Sequence, residues 1–167
     1  MIIKLASAQD PALQQLLRQH REEMSFYSPP ESIHAVDMDS DQAEALTFFA
    51  CWIDQQLAGC GGIQVFNEAS CEIKAMRTVK SFLRQGVANG ILQALMRQAE
   101  RWQCRSIYLE TGSHQAFLPA RKLYEANGFE YCDPFNGYQP DPHSYFMKKS
   151  IPLRTAPIEK DQIAGEN

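Results

Sequence analysis

The chain has 167 residues, a formal net charge of −4 and a pI near 5.6, with 44% hydrophobic and 22% charged residues. This length favours one domain, and this balance of residue types excludes wholesale disorder. The acidic charge argues against nucleic-acid binding through bulk positive charge, and no apolar run reaches the roughly 20 residues of a membrane span. Because the first residues also lack the pattern of a secretory signal, we expect a cytoplasmic protein that binds neither nucleic acid nor membrane.

The first half of the chain predicts a strand, helices and then three successive strands. Asp10 followed by Pro11 begins an amphipathic helix, and the break at residues 28–31 opens a short second one. Residues 37–41 are expected to form a solvated acidic loop. Short polar turns between the later apolar segments predict an antiparallel meander. The predicted elements are a strand at 2–5, helices at 11–24 and 32–36, and strands at 45–53, 57–66 and 71–79.

In the second half, helices alternate with strands. Apolar residues recur at helical spacing from Val87 to Trp102, and Asn127-Gly128 is typical of a helix end. The other predicted elements are strands at 106–109, 129–132 and 145–149 and a helix at 119–127. We therefore expect one α/β domain of the α+β kind, built on a single mixed sheet.

The cysteines and histidines give no sign of a metal site. Five cysteines are odd in number and widely spaced, and the four histidines do not cluster at ligand spacing. We interpret the thiols as reduced, mostly buried apolar groups. Cys132, His34 and His143 are left without an assigned role.

The stretch from Thr78 to Gly90 carries the clearest chemical signal. A predicted strand passes through a loop into the long helix, with small residues at Gly86 and Ala88. Free N–H groups and the helix dipole make such a helix start an anion site, to which Arg84 can add a charged clamp. The patterns of P-loop and dinucleotide sites are absent from the sequence, so triphosphates and dinucleotides are not indicated.

Two motifs resemble those of the GNAT superfamily of acyl-CoA-dependent N-acetyltransferases. The family's phosphate loop reads Gln/Arg-x-x-Gly-x-Gly/Ala, in which Gly86 and Ala88 match and Leu83 replaces the leading residue. A later helix motif reads Asn-x-x-Ala-x-x-x-Tyr-x-x-x-Gly-Phe, with Phe117 at the Asn position. Its matching residues are Ala120, Tyr124, Gly128 and Phe129. Shorter segments at 28–32, 72–78, 109–112 and 141–144 resemble a bacterial subgroup, which indicates the reaction type but not the substrate.

The resemblance implies a GNAT-like mixed sheet, mostly antiparallel and twisted, flanked by helices. A cofactor cleft would open where the fourth and fifth strands splay apart, and the pantetheine arm of acetyl-CoA would pair there like an added strand. Acetyl-CoA is the implied co-substrate, with no metal. The implied domain spans residues 1–154, with a C-terminal tail at 155–167. The implied cofactor-binding residues are Met76, Arg77 and Thr78 on the strand and Arg84, Gln85, Gly86, Val87, Ala88 and Asn89 at the helix start.

The implied reaction is direct acetyl transfer to a primary amine in a ternary complex. An alkyl amine is mostly protonated at neutral pH, so a base must remove its proton. Glu72 is the first candidate, since its spacing from Thr78 resembles that of the catalytic glutamate in the histone-acetylating branch. Glu110 is the rival, as the base or as an anchor for the ammonium group. Tyr124 matches the family's usual acid, which protonates the departing CoA thiolate.

Alternatives stay open at this stage. Glu72 could form an ion pair with Lys74 or Arg77, and Tyr124 could be a core aromatic. Because Leu83 and Phe117 depart from the motifs, a non-catalytic acyl-CoA-binding sensor module is the alternative function. A small-molecule or peptide amine could be the acceptor, residues 28–36 and 133–144 are expected to line its pocket, and a homodimer is possible.

Overall fold

The structure is a computed structural model that describes residues 1–152. The predicted tail at 155–167, and the last two residues of the predicted domain, lie outside the described residues. The strands are β1 (Ile2–Ala6), β2 (Thr47–Ile53), β3 (Gln56–Asn67), β4 (Ser70–Thr78), β5 (Ser106–Gly112), β6 (Glu130–Cys132) and β7 (Ser144–Ser150). The α-helices are α1 (Pro11–Met24), α2 (Asp41–Glu44), α3 (Val87–Arg101) and α4 (Leu118–Ala126). No helix within residues 1–152 is long and apolar enough to cross a membrane.

The strands form one sheet in the order β1-β2-β3-β4-β5-β7-β6. The β4–β5 pair is parallel and every other pair is antiparallel, which confirms the expected mixed, mostly antiparallel sheet. The parallel pair runs from Ser70–Ser106 to Ile73–Leu109 and then stops, although both strands continue beyond it. The expected splay between the fourth and fifth strands is therefore confirmed, and we call the opening the strand gap.

A bulge in β4 lies at the start of the strand gap. Cys60 of β3 pairs with Arg77 and Gly62 pairs with Lys74, so one residue of β3 faces two residues of β4. One of these two, Ala75, has a left-handed backbone with φ of 57°. Because a bulge bends its strand and increases the local twist, it helps to turn β4 away from β5.

Helices cover both faces of the sheet. Buried residues of α3, such as Ile91 and Leu95, pack on one face, and Leu13 and Leu17 of α1 pack on the other. A Cβ at Gly61 would lie 2.6 Å from the Met76 sulfur and 2.9 Å from side-chain carbons of both Ile91 and Leu95. Gly61 therefore allows α3 to approach the sheet closely.

Three local predictions differ from the structure. The predicted helix at 32–36 is wrong: a single 3₁₀ turn spans Pro30–Ser32, and Ile33 is already extended. This extended segment lets Val36 reach the core on the α1 side while His34 contacts Tyr138. The loop predicted at 37–41 is one residue shorter than expected, because Asp41 already belongs to α2. Ser40 caps this helix by accepting a hydrogen bond from the Gln42 amide. Strand β5 continues three residues past its predicted end because β7 pairs with it there.

Candidate active site at the strand gap

A cavity of about 100 Å³ lies at the strand gap. Residues of α1, β4, β5, α4 and the segment before β7 line it. Its ionisable lining side chains are His20, His34, Glu72, Lys74, Glu110, Tyr124 and Tyr138. The three side chains that the sequence proposes for catalysis therefore meet in one place, although they come from three different elements.

Strand pairing explains why the charged groups share one face of the sheet. Glu72 pairs with Tyr108 and Ile73 pairs with Leu109. Because side chains alternate between the faces of a sheet, Glu72 and Lys74 of β4 project from the same face as Glu110 of β5. Ile73 projects from the opposite face into the core against α3.

Glu72 is buried at the base of this face, with 2% of its surface exposed. Its Oε1 atom accepts hydrogen bonds from the Tyr138 hydroxyl at 2.6 Å and from Lys74 Nζ at 3.3 Å. Lys74 Nζ also donates to the Tyr138 hydroxyl oxygen at 2.8 Å. Burial and the neighbouring Glu72 carboxylate raise the pKa of Tyr138, so its hydroxyl keeps its proton. The ion pair considered for Glu72 is thus made with Lys74, while Arg77 pairs with Glu23 of α1.

Glu110 stands where β5 begins to leave β4, and its carboxyl group is partly exposed to the cavity. Burial raises the pKa of Glu110 to about 7, against the opposing influence of the Ser144 side chain and the charge of Lys74. The negative charges of Glu72 and Asp141 add to the rise. Glu110 therefore changes its ionisation near neutral pH, which suits a group that accepts and releases protons.

Tyr124 reaches the cavity from α4, the helix that follows β5. The side chain is 5% exposed and packs edge-on against Phe129, with ring centroids 5.8 Å apart. Burial and the charge of Glu110 raise the pKa of Tyr124 above its ordinary range. The phenol is therefore protonated at neutral pH and can donate a hydrogen bond or a proton into the cavity.

Arg121 fixes the position of α4 against the end of β5. This buried side chain donates from Nη1 to the carbonyl oxygen of Gly112 at 2.8 Å and to that of His114 at 3.1 Å. Its guanidinium lies over the Tyr145 ring, 5.2 Å from the centroid. Since Gly112 ends β5 and Arg121 lies one turn before Tyr124, these contacts set the distance between Tyr124 and Glu110.

The loop into α3 has the geometry expected of an anion site. Gly86 caps the helix with a left-handed backbone, φ of 81°, and no side chain satisfies the first amides. The first intrahelical bond runs from the Gly90 N–H to the Gly86 carbonyl. The amides of Val87, Ala88 and Asn89 precede that bond and have no partner inside the helix. Nothing lies within 4 Å of a Cβ placed on Gly86, so the approach to these amides is open.

The remaining predicted cofactor residues lie along the route between this loop and the cavity. Met76, Arg77 and Thr78 continue β4 beyond its last pair with β5, so their stretch of backbone borders the strand gap on one side. Met76 also lines the cavity. Arg84 and Gln85 are exposed in the loop, and Arg84 has a left-handed backbone.

The two histidines of the cavity are shifted towards the neutral form. Burial and the nearby Arg77 lower the pKa of His20 to about 4, and burial followed by Lys74 lowers the pKa of His34. His34 packs edge-on against Tyr138 at 5.0 Å between centroids. Within residues 1–152, no group of three or more His, Cys, Asp or Glu side chains is placed to hold a metal ion. Cys132 and His143 are not among the residues that line the cavity.

Sequence reasoning missed the functional setting of Lys74, Tyr138 and Arg121. Tyr138 had a usable signal, because Asn-Gly is a turn dipeptide and both residues before Tyr138 adopt positive φ angles of 44° and 84°. That turn aims Tyr138 at the cavity. The contact of Lys74 with Tyr138 and the bonds of Arg121 with two carbonyl groups are ones that no local pattern indicates.

Comparison with known proteins adds the following matches. Residues 13–129 match the family model described as the acetyltransferase (GNAT) family. The protein named "Uncharacterized N-acetyltransferase YsnE" from Bacillus subtilis (strain 168) is 42% identical over 90% of this chain and 100% of its own length. The crystal structure of a candidate acyl-CoA N-acyltransferase from Klebsiella pneumoniae has a TM-score of 0.73 at 26% identity, covering 89% of this chain and 96% of that one. A GNAT family acetyltransferase from Elizabethkingia anophelis with acetyl-CoA bound shares the fold, with a TM-score of 0.64 at 15% identity over 90% of this chain and 97% of that one.

Proposed function

Because the chain belongs to the GNAT family of acyl-CoA-dependent N-acetyltransferases, we propose that it moves an acetyl group from acetyl-CoA to the primary amine of a small molecule or peptide by direct transfer in a ternary complex. One observation carries the proposal most strongly. A carboxyl group with a pKa near 7, Glu110, and a protonated phenol, Tyr124, line the same cavity.

The described residues fit acetyl-CoA along the whole strand gap. The open amides of Val87, Ala88 and Asn89 would hold the pyrophosphate, with Arg84 as an added positive charge. The free edge of β4 at Met76 and Thr78 would offer main-chain groups to the pantetheine arm and to the thioester carbonyl. A backbone N–H aimed at the developing oxyanion contributes roughly 10²–10³ in rate. Bound acetyl-CoA supplies the acetyl group.

We assign the base role to Glu110. Above pH 7 its carboxylate can take a proton from a bound ammonium group, and its pKa is close to the working pH, where general bases are most effective. Glu72 has a different setting, since its Oε1 accepts from Tyr138 and Lys74 and only 2% of its surface is exposed. In the proposed site Glu72 holds the Lys74 side chain in place.

Tyr124 is the proposed acid. The amine nitrogen forms a bond to the carbonyl carbon, the carbon–sulfur bond breaks, and Tyr124 gives its proton to the leaving thiolate. An ammonium group gives up two protons in becoming an amide. One of them restores the Tyr124 hydroxyl, and the other goes to solvent through Glu110, so atoms and charges balance.

A non-catalytic acyl-CoA sensor is the less favoured alternative. A sensor needs the amides at the start of α3, but it gains nothing from an ionisable carboxyl group and a protonated phenol in the same cavity. This pairing favours a reaction at the site over binding alone.

The test combines binding and product formation. Purified protein is incubated with acetyl-CoA and a panel of primary amines, and mass spectrometry measures acetylated amine and free CoA. We expect acetyl-CoA-dependent acetylation of at least one amine. Tyr124→Phe should lower kcat roughly 10²-fold or more while the KM for acetyl-CoA changes less than about twofold.

Tyr131→Phe is the matched control, because Tyr131 is half exposed on β6 and bonds Glu125 outside the cavity. Its kcat should equal that of the wild type. Binding of acetyl-CoA without any acetylated product would favour the sensor, and absence of acetyl-CoA binding by calorimetry would contradict both functions.

A further inference from the structure

Lys74 is the distinctive charge of the cavity. It is the one Lys or Arg among the described lining residues, and the two lining histidines are shifted towards the neutral form: burial lowers the pKa of His20 to about 4, and burial followed by Lys74 lowers that of His34. The side chain is mostly buried, with 18% of its surface exposed. Burying a charged group costs free energy, so a mostly buried lysine at a proposed reaction site is better explained by a role at that site than by solubility.

The ammonium group is held with one donor to spare. Nζ donates to Glu72 Oε1 and to the Tyr138 hydroxyl, and the Tyr138 ring centroid lies 5.4 Å away. An ammonium group has three N–H donors, and within residues 1–152 no third acceptor contacts Nζ. Its environment therefore fixes the position of Lys74 and leaves it able to receive one more oxygen.

Lys74 and Glu110 face each other across the strand gap. They project from the same face of β4 and β5, just beyond the last residues that pair these two strands. Their charges interact, since Lys74 opposes the rise in the pKa of Glu110. The cavity thus offers a carboxyl group on one side and a cation on the other, which is complementary to a ligand that carries an amine and an oxyanion.

We propose that Lys74 selects the acceptor, and that the acceptor is a small amine that also carries a carboxylate, an amino acid in the broad sense. This inference rests on the proposed function. The ammonium end would lie at Glu110, where the reaction takes place, and the carboxylate would accept a hydrogen bond from Lys74. A cavity of about 100 Å³ is small beside the roughly 300–1,000 Å³ of sites for drug-sized ligands, which favours a compact acceptor.

Glu72 and Tyr138 then act as positioning residues. Glu72 holds the lysine from the base of the cavity, and Tyr138 holds it from the segment before β7.

The test uses pairs of amines that differ only in the carboxylate: glycine with methylamine, β-alanine with ethylamine, 4-aminobutyrate with propylamine, and L-alanine with ethylamine. Calorimetry on the protein saturated with CoA measures binding without requiring turnover, and kcat/KM is measured in parallel. A charge-assisted hydrogen bond predicts that at least one carboxylated member binds about tenfold or more tightly than its partner.

Variants at Lys74 and Glu72 test which residue produces the preference for carboxylated amines. Lys74→Met should abolish the difference between the two members of each amine pair, whereas Lys74→Arg should keep it; the ratio within a pair is the readout, because loss of the Lys74 charge also raises the pKa of Glu110 and so affects both members. Because Lys74→Met leaves Glu72 buried without its cation, the double variant Glu72→Gln with Lys74→Met provides a charge-balanced test that should give the same loss. Glu72→Gln alone should keep or strengthen carboxylate binding, since it removes a competing negative charge.

Two results would overturn the inference. One is equal binding within every amine pair, and the other is a carboxylate preference that survives in the double variant. Failure of the proposed function is separate, because it would show as absence of acetylated product with every amine, whatever calorimetry reports for the carboxylates.

Discussion

The proposed site has a cofactor side and an acceptor side, and the two are built from different kinds of group. On the cofactor side of the proposed site, backbone groups of the β4 edge at 76–78 and of the α3 start at 86–89 would do most of the binding, with Arg84 as an added charge. On the acceptor side, the site consists of side chains that hold one another, namely Glu72, Lys74, Glu110 and Tyr138. Main-chain groups are common to every sequence with this fold, so they can bind a shared cofactor. Side-chain charges differ between sequences and can choose the acceptor.

The cofactor side and the acceptor side also differ in their exposure to solvent. The loop residues Arg84, Gln85 and Gly86 are exposed, and an arriving phosphate finds the amides open. Glu110 and Tyr124 lie in surroundings dry enough to raise both of their pKa values. Electrostatic interactions are stronger in such surroundings, so small changes on the acceptor side should have the larger effects on rate.

The largest effect is expected for Glu110→Gln. Loss of the proposed base should lower kcat roughly 10²–10⁴-fold and remove the rise in activity that we expect of the wild type as pH increases through about 7. Because the pKa of Glu110 is raised in the folded protein, the folded state holds this proton more tightly than the unfolded chain does. The free energy of unfolding therefore falls as pH rises from about 4.5, the ordinary pKa of a glutamate, to about 7. Glu110→Gln should therefore be more stable than the wild type at pH 8, by about 1–3 kcal/mol, and close to it at pH 4.5.

Initial rates across pH and thermal unfolding at the two pH values provide the measurements. Glu68→Gln is the control, because Glu68 is exposed in the turn between β3 and β4 and does not line the cavity. An activity profile that still rises through pH 7 in Glu110→Gln would return the base role to Glu72.

Effects of intermediate size are expected when two glycines are replaced by alanine, namely Gly86 on the cofactor side and Gly137 on the acceptor side. Gly86 and Gly137 both have left-handed backbones, with φ of 81° and 84°, and neither would give a new Cβ any neighbour within 4 Å. Substitution by alanine costs each of them only backbone strain of about 1 kcal/mol. Gly86→Ala should raise the KM for acetyl-CoA about tenfold, because the methyl group narrows the approach of a phosphate to the amides.

Gly137→Ala is the matched partner of that variant. It should leave the KM for acetyl-CoA unchanged and raise the KM of the acceptor, since Gly137 places Tyr138 against Lys74. Equal effects of the two variants on both KM values, measured by steady-state kinetics, would remove the division between the two sides.

The sequence predicted the parts of the fold that depend on neighbours along the chain. Asp10-Pro11 marks the start of α1 because the aspartate caps the helix with its own side chain. The splay of β4 from β5 followed from the resemblance, and the glycines at 59, 61 and 62 are a sequence signal for the bulge that accompanies it. The helix predicted at 32–36 failed because the buried position of Val36 and the contact of His34 are set by distant partners.

The candidate site divides in the same way. The helix start at Gly86 was predictable, since small residues before an amphipathic helix produce it locally. The Lys74–Tyr138 contact joins residues 64 positions apart, and Arg121 bonds to carbonyl groups rather than to a recognisable partner side chain. A pattern in the sequence shows which residues could react, and the packing decides which of them are held and by what.

The smallest effect is expected for Asn127→Ala, which tests whether the two sides are mechanically joined. The Asn127 side chain accepts from Gln93 at 2.7 Å and donates to Asn89 at 3.1 Å, while its backbone N–H bonds the Tyr124 carbonyl at 3.0 Å. It therefore ties the first turns of α3 to the helix that carries the proposed acid. Losing the side-chain bonds, while the backbone bond remains, should raise the KM for acetyl-CoA about two- to fivefold and lower kcat by a similar factor, because each neutral hydrogen bond contributes only about 1 kcal/mol. Lys122→Ala on the same helix removes an exposed pair with Glu125 and should change neither constant. If Asn127→Ala changed the KM without changing kcat, the cofactor side and the acid would be independent of each other.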